Sequence, residues 1–481
     1  MVLPTGTQNA MGYMTPGMGM MLTFDDLVLM SGGAVTGSFP MYQVHETITV
    51  MPSDTLMVNG GLDIMMDPGM NIAIEILGTM DGNMGFGTRF HSMGFGTWRG
   101  IWVHDSGALQ GNGFQIMDAQ DAIYIDHTLG FGMVQIMGCM IDQSVNSGIT
   151  MLGTMGGPMV QGNIVTGCPV GFRLESTTAQ CQNNDISNCG IGFLIGGFLG
   201  PGIFGNTIHD NTHNAIYIEG PSTWINSNTI RDNGGDAIVV INATAGISDN
   251  NIFAWNATAW SNENGRNGIR INGTVEWGQN YISNNRIFGG NGDGIGDGGH
   301  AIYIEDFVGN PMNQPNIENT VIENNFIIQG GNGGNNFDDW SIAGDGGHGI
   351  YCPRLSDDGN WSADNHALII RGNTLIAGGM GGMDNAPMFG TAGNGGHGLC
   401  VRDDNNAGSM LSTGNLLVVG GGGGGRMSPG LCGDGGHGLC TEDCDSGVRV
   451  DIRNHADVVG GMGGAGPTGM GQGGASLRLV R

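Results

Sequence analysis

An isoleucine returns every 22 residues through the middle of this chain, at Ile164, Ile186, Ile208, Ile230 and Ile252, each close behind an asparagine. Short segments of alternating side chains sit between these positions: Phe172-Arg173-Leu174-Glu175, Ile216-Tyr217-Ile218-Glu219, Ile238-Val239-Val240-Ile241, Ile269-Arg270-Ile271-Asn272 and Ile302-Tyr303-Ile304-Glu305. A period of two bounded by Asn, Gly and Asp reads as strand, not helix. A 22-residue unit of short strands without a helix matches one coil of a parallel β-helix. A single coil cannot bury its apolar side alone, so coils stack around a shared interior. Stacked strands lie about 4.8 Å apart, which sets like residues above like. Asn184, Asn206, Asn228 and Asn250 are then predicted to form a hydrogen-bonded ladder, at corners where Asn tolerates a left-handed backbone.

The pattern divides the chain into an N-terminal cap (1–56), regular coils (57–288) and coils with insertions (289–481). In the cap, Thr23-Phe24-Asp25-Asp26-Leu27 followed by Gly32-Gly33 predicts a short helix near 23–31, with Thr as N-cap and acids in the first turn. Beyond 289 the coil strand recurs at Ile302, Ile350, Leu399, Leu439 and Leu477, at spacings of 48, 49, 40 and 38. The added residues are glycine-rich, as in Gly330-Gly331-Asn332-Gly333-Gly334, and leave from equivalent positions. They are therefore expected to pack on one side of the solenoid. The final strand, Leu477-Arg478-Leu479, is expected to lie uncovered, so that a further segment or a second copy of the chain stacks there.

Composition narrows the partners. Gly supplies 95 of 481 residues, but with no strict every-third period and 15 prolines the chain is not collagen-like. At 39% hydrophobic it is too apolar for plain disorder. Lysine is absent and the net charge is -28, which excludes a backbone-tracking nucleic-acid binder and disfavours anionic membranes. No run of apolar residues reaches membrane-spanning length, and the first residues lack the pattern of a signal peptide. Nine cysteines without CxxC spacing give no zinc signature.

The phrases Ser31-Gly32-Gly33-Ala34-Val35, Ile48-Thr49-Val50, Asp67-Pro68-Gly69 and Trp98-Arg99-Gly100-Ile101 lead into the coils. Together with the repeat they resemble the right-handed parallel β-helix proteins of the pectate-lyase-like superfamily, in its secreted bacterial form. That resemblance spans essentially the whole chain and implies an all-β, right-handed parallel β-helix and an extracellular or cell-surface location. It leaves function open, because the group holds lyases, hydrolases, epimerases, adhesins and structural proteins. Gly347-His348-Gly349, Gly396-His397-Gly398 and Gly436-His437-Gly438 echo one polygalacturonase motif. The N-T-D and R-I-K motifs that accompany it there are missing. Lyases of the group use a cation to abstract a proton, and only Arg270 and Arg402 stand on a strand's outer face for that role.

Three constellations have sharper and plainer readings. The phrase Asp-Gly-Gly-His places His300, His348 and His437, with His397 after Asn394, at one position on successive coils, where earlier coils carry Asn214, Asp236 and Asn267. These imidazoles either form a corner ladder to neighbouring backbone or converge on a divalent metal. Alternation turns Tyr124, Tyr217, Tyr303 and Tyr351 outward, with Asp126, Glu219 and Glu305 two residues beyond the first three. Such a stripe offers flat faces and acceptors to a neutral sugar chain, or is ordinary strand decoration. Glu219, Glu305 and Arg270 are the catalytic candidates within it. Cys400 with Cys440, and Cys168 with Cys189, fall within disulfide reach or remain free thiols. The sequence thus predicts a β-helix scaffold that is structural or binds polysaccharide, with calcium or another divalent ion as a possible cofactor. Its alternatives are a polysaccharide lyase or hydrolase, and a fibre subunit stacking end to end.

Overall fold

The computed structural model describes residues 7–9, 12–68, 72–126, 133–258, 261–273, 279–306, 320–338, 341–354, 368–387, 390–402, 409–427, 429–442 and 449–479. The chain forms two compact units, Met1–Thr212 and His213–Arg481. Each is a right-handed parallel β-helix in which a coil contributes one strand to each of three parallel sheets. In the first unit Gly100–His104, Asp121–Asp126 and Ser147–Leu152 pair in one such sheet. In the second, Ile238–Ile241, Ile269–Asn272 and Ile302–Asp306 do the same. Among the described residues no helix is long and apolar enough to cross a membrane.

Vertical files of apolar side chains fill each interior. Ile186 faces Ile208 across adjacent strands, and Ile230 faces Ile252. Ile216, Ile238, Ile269, Ile302, Ile350, Leu399 and Leu439 make one continuous file in the second unit, all of them buried. Full burial of each such side chain stabilises the fold by ~1.5–3 kcal/mol.

The asparagine ladder fixes the register between coils. In the first unit the Asn163 N–H and Nδ2 both donate to Asn184 Oδ1, at 3.0 and 2.9 Å, and Asn184 repeats this to Asn206. In the second unit the chain of bonds runs through Asn228, Asn250, Asn285, Asn325, Asn373 and Asn415. Two expectations need correction. The left-handed residue is not the ladder Asn but the one before it, as at Asn183, Ser227, Asp249, Asn284 and Asn324, with φ between 53° and 59°. And Ile164 does not join the interior. Asn163 aligns with Asn184, which leaves Ile164 one residue after the ladder instead of two, so it faces out at 44% exposure while Val165 pairs with Ile186.

The sheets also start earlier than the repeat in the sequence. Met21–Leu22, Met41–Val44 and Ile48–Val50 pair with Thr55–Met57, Asp63–Met66 and Ala73–Ile76. Between them lies a helix, Phe24–Met30, opened by a reciprocal capping box between Thr23 and Asp26 and burying Phe24, Leu27 and Met30.

The glycine-rich insertions of the second unit are packed, and their hydrogen bonds have a period of three. In Gly-Gly-X phrases the first Gly donates its N–H to the X carbonyl of the next coil, as from Gly298 to Asp345 and from Gly346 to Asn394, both 2.8 Å. The second Gly donates across, between outgoing and returning segments. Gly299 bonds to Gly290 O at 2.7 Å, Gly331 to Gly299, Gly347 to Gly331 and Gly379 to Gly347, each of these three at 2.8 Å. This is the pattern of bundled polyproline-II-type strands, which have three residues per turn and no internal hydrogen bonds. Segments pack so closely that a Cβ on Gly379 would lie 1.8 Å from the Gly331 carbonyl oxygen. The repeat is therefore imposed by sterics as well as by hydrogen bonding.

Candidate functional site

In the Asp/Asn and His rows the third residue of the Gly-Gly-X phrase faces outward, and its N–H turns to a side chain. The side chain one coil earlier accepts it. Asp345 N–H donates to Asp297 Oδ1 at 2.8 Å, Asn394 to Asp345 at 2.6 Å, Asp434 to Asn394 at 2.9 Å and Gln472 to Asp434 at 2.7 Å. Three residues further on, the imidazoles do the same. His348 N–H donates to His300 Nδ1 at 2.9 Å, His397 to His348, His437 to His397 and Ala475 to His437, the last three at 2.8 Å. Asp236 and Asn267 begin this file with their side-chain oxygens. The Asp-Gly-Gly-His phrase thus has a structural cause. It supplies two acceptors three residues apart, one for each outward N–H.

The four rings stack nearly parallel, 4.8–4.9 Å apart at 3–9°. Their nitrogens stand in a row and do not surround a point, so this geometry is that of the corner ladder and not of a four-histidine metal centre. Each Nδ1 accepts an amide N–H, which places the ring proton on Nε2. Burial pushes the His300 pKa down to about 4 and holds His348 well below its usual value, with charge on the neighbouring rings adding to the effect there.

A stability prediction follows from the sign of these shifts. A histidine whose folded pKa lies below its unfolded value of about 6.5 binds more protons when unfolded. Its contribution is complete above 6.5 and is lost as pH falls toward about 4. The loss amounts to about 1.4 kcal/mol per pH unit for each such ring. Asp345 and Asp236, raised by burial, oppose this as pH falls through their raised values, because the folded chain then binds the extra protons. Melting temperature measured against pH should therefore begin to drop near 6.5. His348→Asn, which keeps a ladder acceptor as Asn267 does, should flatten that slope.

An open groove of about 780 Å³ runs beside these files, lined by the Asp/Asn row, the His row, Tyr303, Tyr351, Arg270 and Asp236. Tyr303 and Tyr351 stack on adjacent coils at 5.8 Å, and Tyr351 lies 4.9 Å from the His300 ring. At one end Arg270 sits between two carboxylates. Its Nε donates to Glu305 Oε2 at 3.0 Å, Asn272 Nδ2 donates to the same oxygen at 3.2 Å, and Asp236 Oδ2 is 3.9 Å from Arg270. Burial opposes the Arg270 charge, but Glu305 and Asp236 raise its pKa. Burial lifts the Asp236 carboxyl above the usual range.

The expected sugar stripe is therefore gathered only in part. Arg270, Tyr303, Tyr351, His300, His348, His397 and His437 line one groove, and Glu305 is tied to Arg270 at its edge. Tyr217 and Glu219 are not among its lining residues. Their file is interrupted by Val239, the register partner of both Tyr217 and Arg270. Tyr124 and Asp126 belong to the first unit. There Tyr124 stacks on Trp102 at 4.0 Å, Asp126 Oδ1 bonds His104 Nδ1 at 2.6 Å, and the Arg99 guanidinium lies 3.5 Å over the Trp102 ring. Sequence reasoning missed Trp102, Arg99 and His104, although Trp102 stands at the same strand position as Tyr124 one coil earlier. It also missed Asp236 as an acid and the Asp/Asn row as a groove wall. The cysteines of both stacked pairs are free thiols.

No family profile matches the chain, and no curated protein matches it in sequence. Among solved structures, the periplasmic alginate epimerase AlgG is similar at 13% identity over 93% of this chain and 86% of that one, with a TM-score of 0.41. The A-module of the Azotobacter vinelandii mannuronan C-5 epimerase AlgE6 is similar at 13% identity over 69% and 88%, with a TM-score of 0.32. The Streptococcus pneumoniae surface adhesin PfbA is similar at 10% identity over 73% and 80%, with a TM-score of 0.18. The fold assignment rests on the strand registers given above and not on these likenesses.

Proposed function

We propose that this chain is an extracellular or cell-surface β-helix scaffold whose second unit binds a polysaccharide in the groove beside the histidine file. One observation carries the reading: rows of different chemistry run parallel along one groove at coil spacing. Nε2–H donors, carboxylate and amide oxygens, and two tyrosine faces each repeat from coil to coil. A repetitive ligand with hydroxyls and flat apolar faces is what such rows complement. The charge of -28 favours a neutral glycan over a polyanion, unless calcium bridges the two.

A glycan array run with and without calcium tests this. Against a glycan so identified, Tyr303→Ala and Tyr351→Ala should each weaken binding about tenfold, the loss of one aromatic contact of ~1.5 kcal/mol. Unchanged affinity in both variants would contradict the reading.

A second reading, cleavage of the bound glycan, is favoured by Asp236 and Glu305 flanking Arg270 at the groove's end. Two carboxylates in unlike environments are the raw material of acid–base glycoside chemistry, and the raised Asp236 is the candidate acid. Reducing-sugar and unsaturated-product assays on any bound glycan decide it. Products lost in both Asp236→Asn and Glu305→Gln would establish cleavage. Binding without products leaves the scaffold reading.

A further inference from the structure

Charge is unevenly spread along the groove. Both cations among its described lining residues stand at one end. Arg270 is held between Asp236 and Glu305, and Arg266 lies over the Trp255 ring and donates its Nε to Gly234 O at 3.1 Å. From Asp297 to Gln472 the described lining residues include three carboxylates, Asp297, Asp345 and Asp434, and no arginine. All three side chains stand exposed, one coil or two apart.

The ladder uses only half of each acid. Asp297 and Asp434 give Oδ1 to an N–H of the next coil, and their Oδ2 has no partner among the described residues. Asp345 gives Oδ1 to Asn394, and its carboxyl is raised by burial and by the charge of Asp297. A bound cation would relieve that repulsion. Three residues on, the histidines offer the opposite chemistry. Nδ1 of His300 and of His348 accepts a backbone N–H, so each ring presents Nε2–H, a donor with no partner among the described residues. Both rings line the groove, yet they are sunk deeply enough for burial to drive their pKa down. A ligand that satisfies both rows brings cations to the carboxylates and lone pairs to the Nε2–H donors, with faces for Tyr303 and Tyr351. A glycan with an amine on each ring does so, through its ammonium groups and its hydroxyl and ring oxygens. A basic peptide also matches the acids, but ordering each long lysine stem costs rotamer freedom that a ring-borne amine does not lose.

We propose, resting on the glycan reading above, that the groove's ligand is a polycationic amino-sugar polymer. Its amines meet Asp297, Asp345 and Asp434, and its oxygens accept from Nε2–H of His300 and His348.

Calorimetric titration of the full chain with a glucosamine hexamer, its N-acetylated counterpart and a lysine hexamer, in mildly acidic buffer containing a chelator, tests this. The glucosamine hexamer should bind about tenfold more tightly than the N-acetylated one, the sum of several exposed ion pairs. Most of that preference should vanish at about 1 M salt, where charges are screened beyond about 3 Å. Asp345→Asn and Asp434→Asn, which keep the ladder acceptor as Asn394 does, should each cut the preference about threefold. Tyr303→Ala should weaken both sugars alike. Equal binding of the two sugars, with the loss in Tyr303→Ala intact, would overturn the amino-sugar assignment and leave the glycan reading standing. An undiminished preference in both Asp variants would overturn it too. So would a lysine hexamer that binds more tightly than the glucosamine one, which would point to a basic peptide. Binding of neither sugar also overturns it, and the glycan array then judges the glycan reading by itself.

Discussion

Gly379→Ala should unfold much of the second unit's glycine-rich layer, while Gly422→Ala, in the next insertion along, should be nearly neutral. The two substitutions add the same methyl group to the same kind of segment. At Gly379 the new Cβ would lie 1.8 Å from the Gly331 carbonyl oxygen and 2.5 Å from its carbon, inside backbone that no rotamer change can move. At Gly422 its nearest neighbour would be the Met462 carbonyl oxygen at 3.6 Å, an ordinary contact. Gly422 also occupies the outward X position, where Asn332 and Met380 carry side chains on earlier coils. Overpacking normally costs about 1–3 kcal/mol, but that figure assumes side chains that can shift. Here whole coils must separate and the cross-bonds from Gly379 to Gly347 and from Gly396 to Gly379 must break. A cost above about 4 kcal/mol is expected, in the range reached only by a few named mechanisms. Chemical denaturation of both variants checks it. Equal small effects would mean that the glycines are linkers.

The second large effect is expected at Asn285. Its Oδ1 accepts from both the N–H and the Nδ2 of Asn250, its Nδ2 donates to Ile247 O at 2.8 Å and to Asn325 Oδ1, and the residue is fully buried. Asn285→Ala leaves two donors on Asn250 and the Ile247 carbonyl without this partner, in a place water does not reach. Each buried polar group so orphaned costs ~1–3 kcal/mol, so a loss of about 3–5 kcal/mol is expected overall. Asn285→Asp is the informative companion. It keeps the acceptor for Asn250 but loses the Nδ2 donor and buries a charge, so it should be no better than Ala at neutral pH and should improve on acidification. Denaturation midpoints at two pH values read the difference.

How much of this was legible in the sequence differs from element to element. The interior files at Ile186 and Ile208 in the first unit, and at Ile230 and Ile252 in the second, were readable because a 22-residue spacing and a period-two pattern agree on them. Ile164 was misplaced because the isoleucine spacing was followed, whereas the buried asparagines set the register and Asn163 is one residue out of step. The first strands, such as Met41–Val44, escaped notice because a helix and uneven spacing interrupt any repeat before residue 57. Packing of the glycine segments was foreseen from their recurring phrasing. Their mechanism lay in a three-residue period visible in Asp297-Gly298-Gly299-His300, once an outward N–H is seen to need an acceptor. The trio of Asp236, Arg270 and Glu305 was out of reach, because coils of 31 to 35 residues hide which side chains meet. The histidine tautomers depend on individual hydrogen bonds that no spacing encodes.

Stacked coils whose hydrogen bonds continue unbroken through the glycine-rich layer are the premise on which the second unit's histidine and carboxylate rows and its groove rest. Amide hydrogen exchange over residues 289–301, 329–338, 341–349, 377–387, 390–398, 419–427 and 429–438 tests it most directly. Gly299, Gly331, Gly347, Gly379 and Gly396 donate to buried carbonyls, so these stretches should exchange as slowly as the neighbouring strands. Exchange at the rate of an open chain in those stretches, with the strands still protected, would contradict the account.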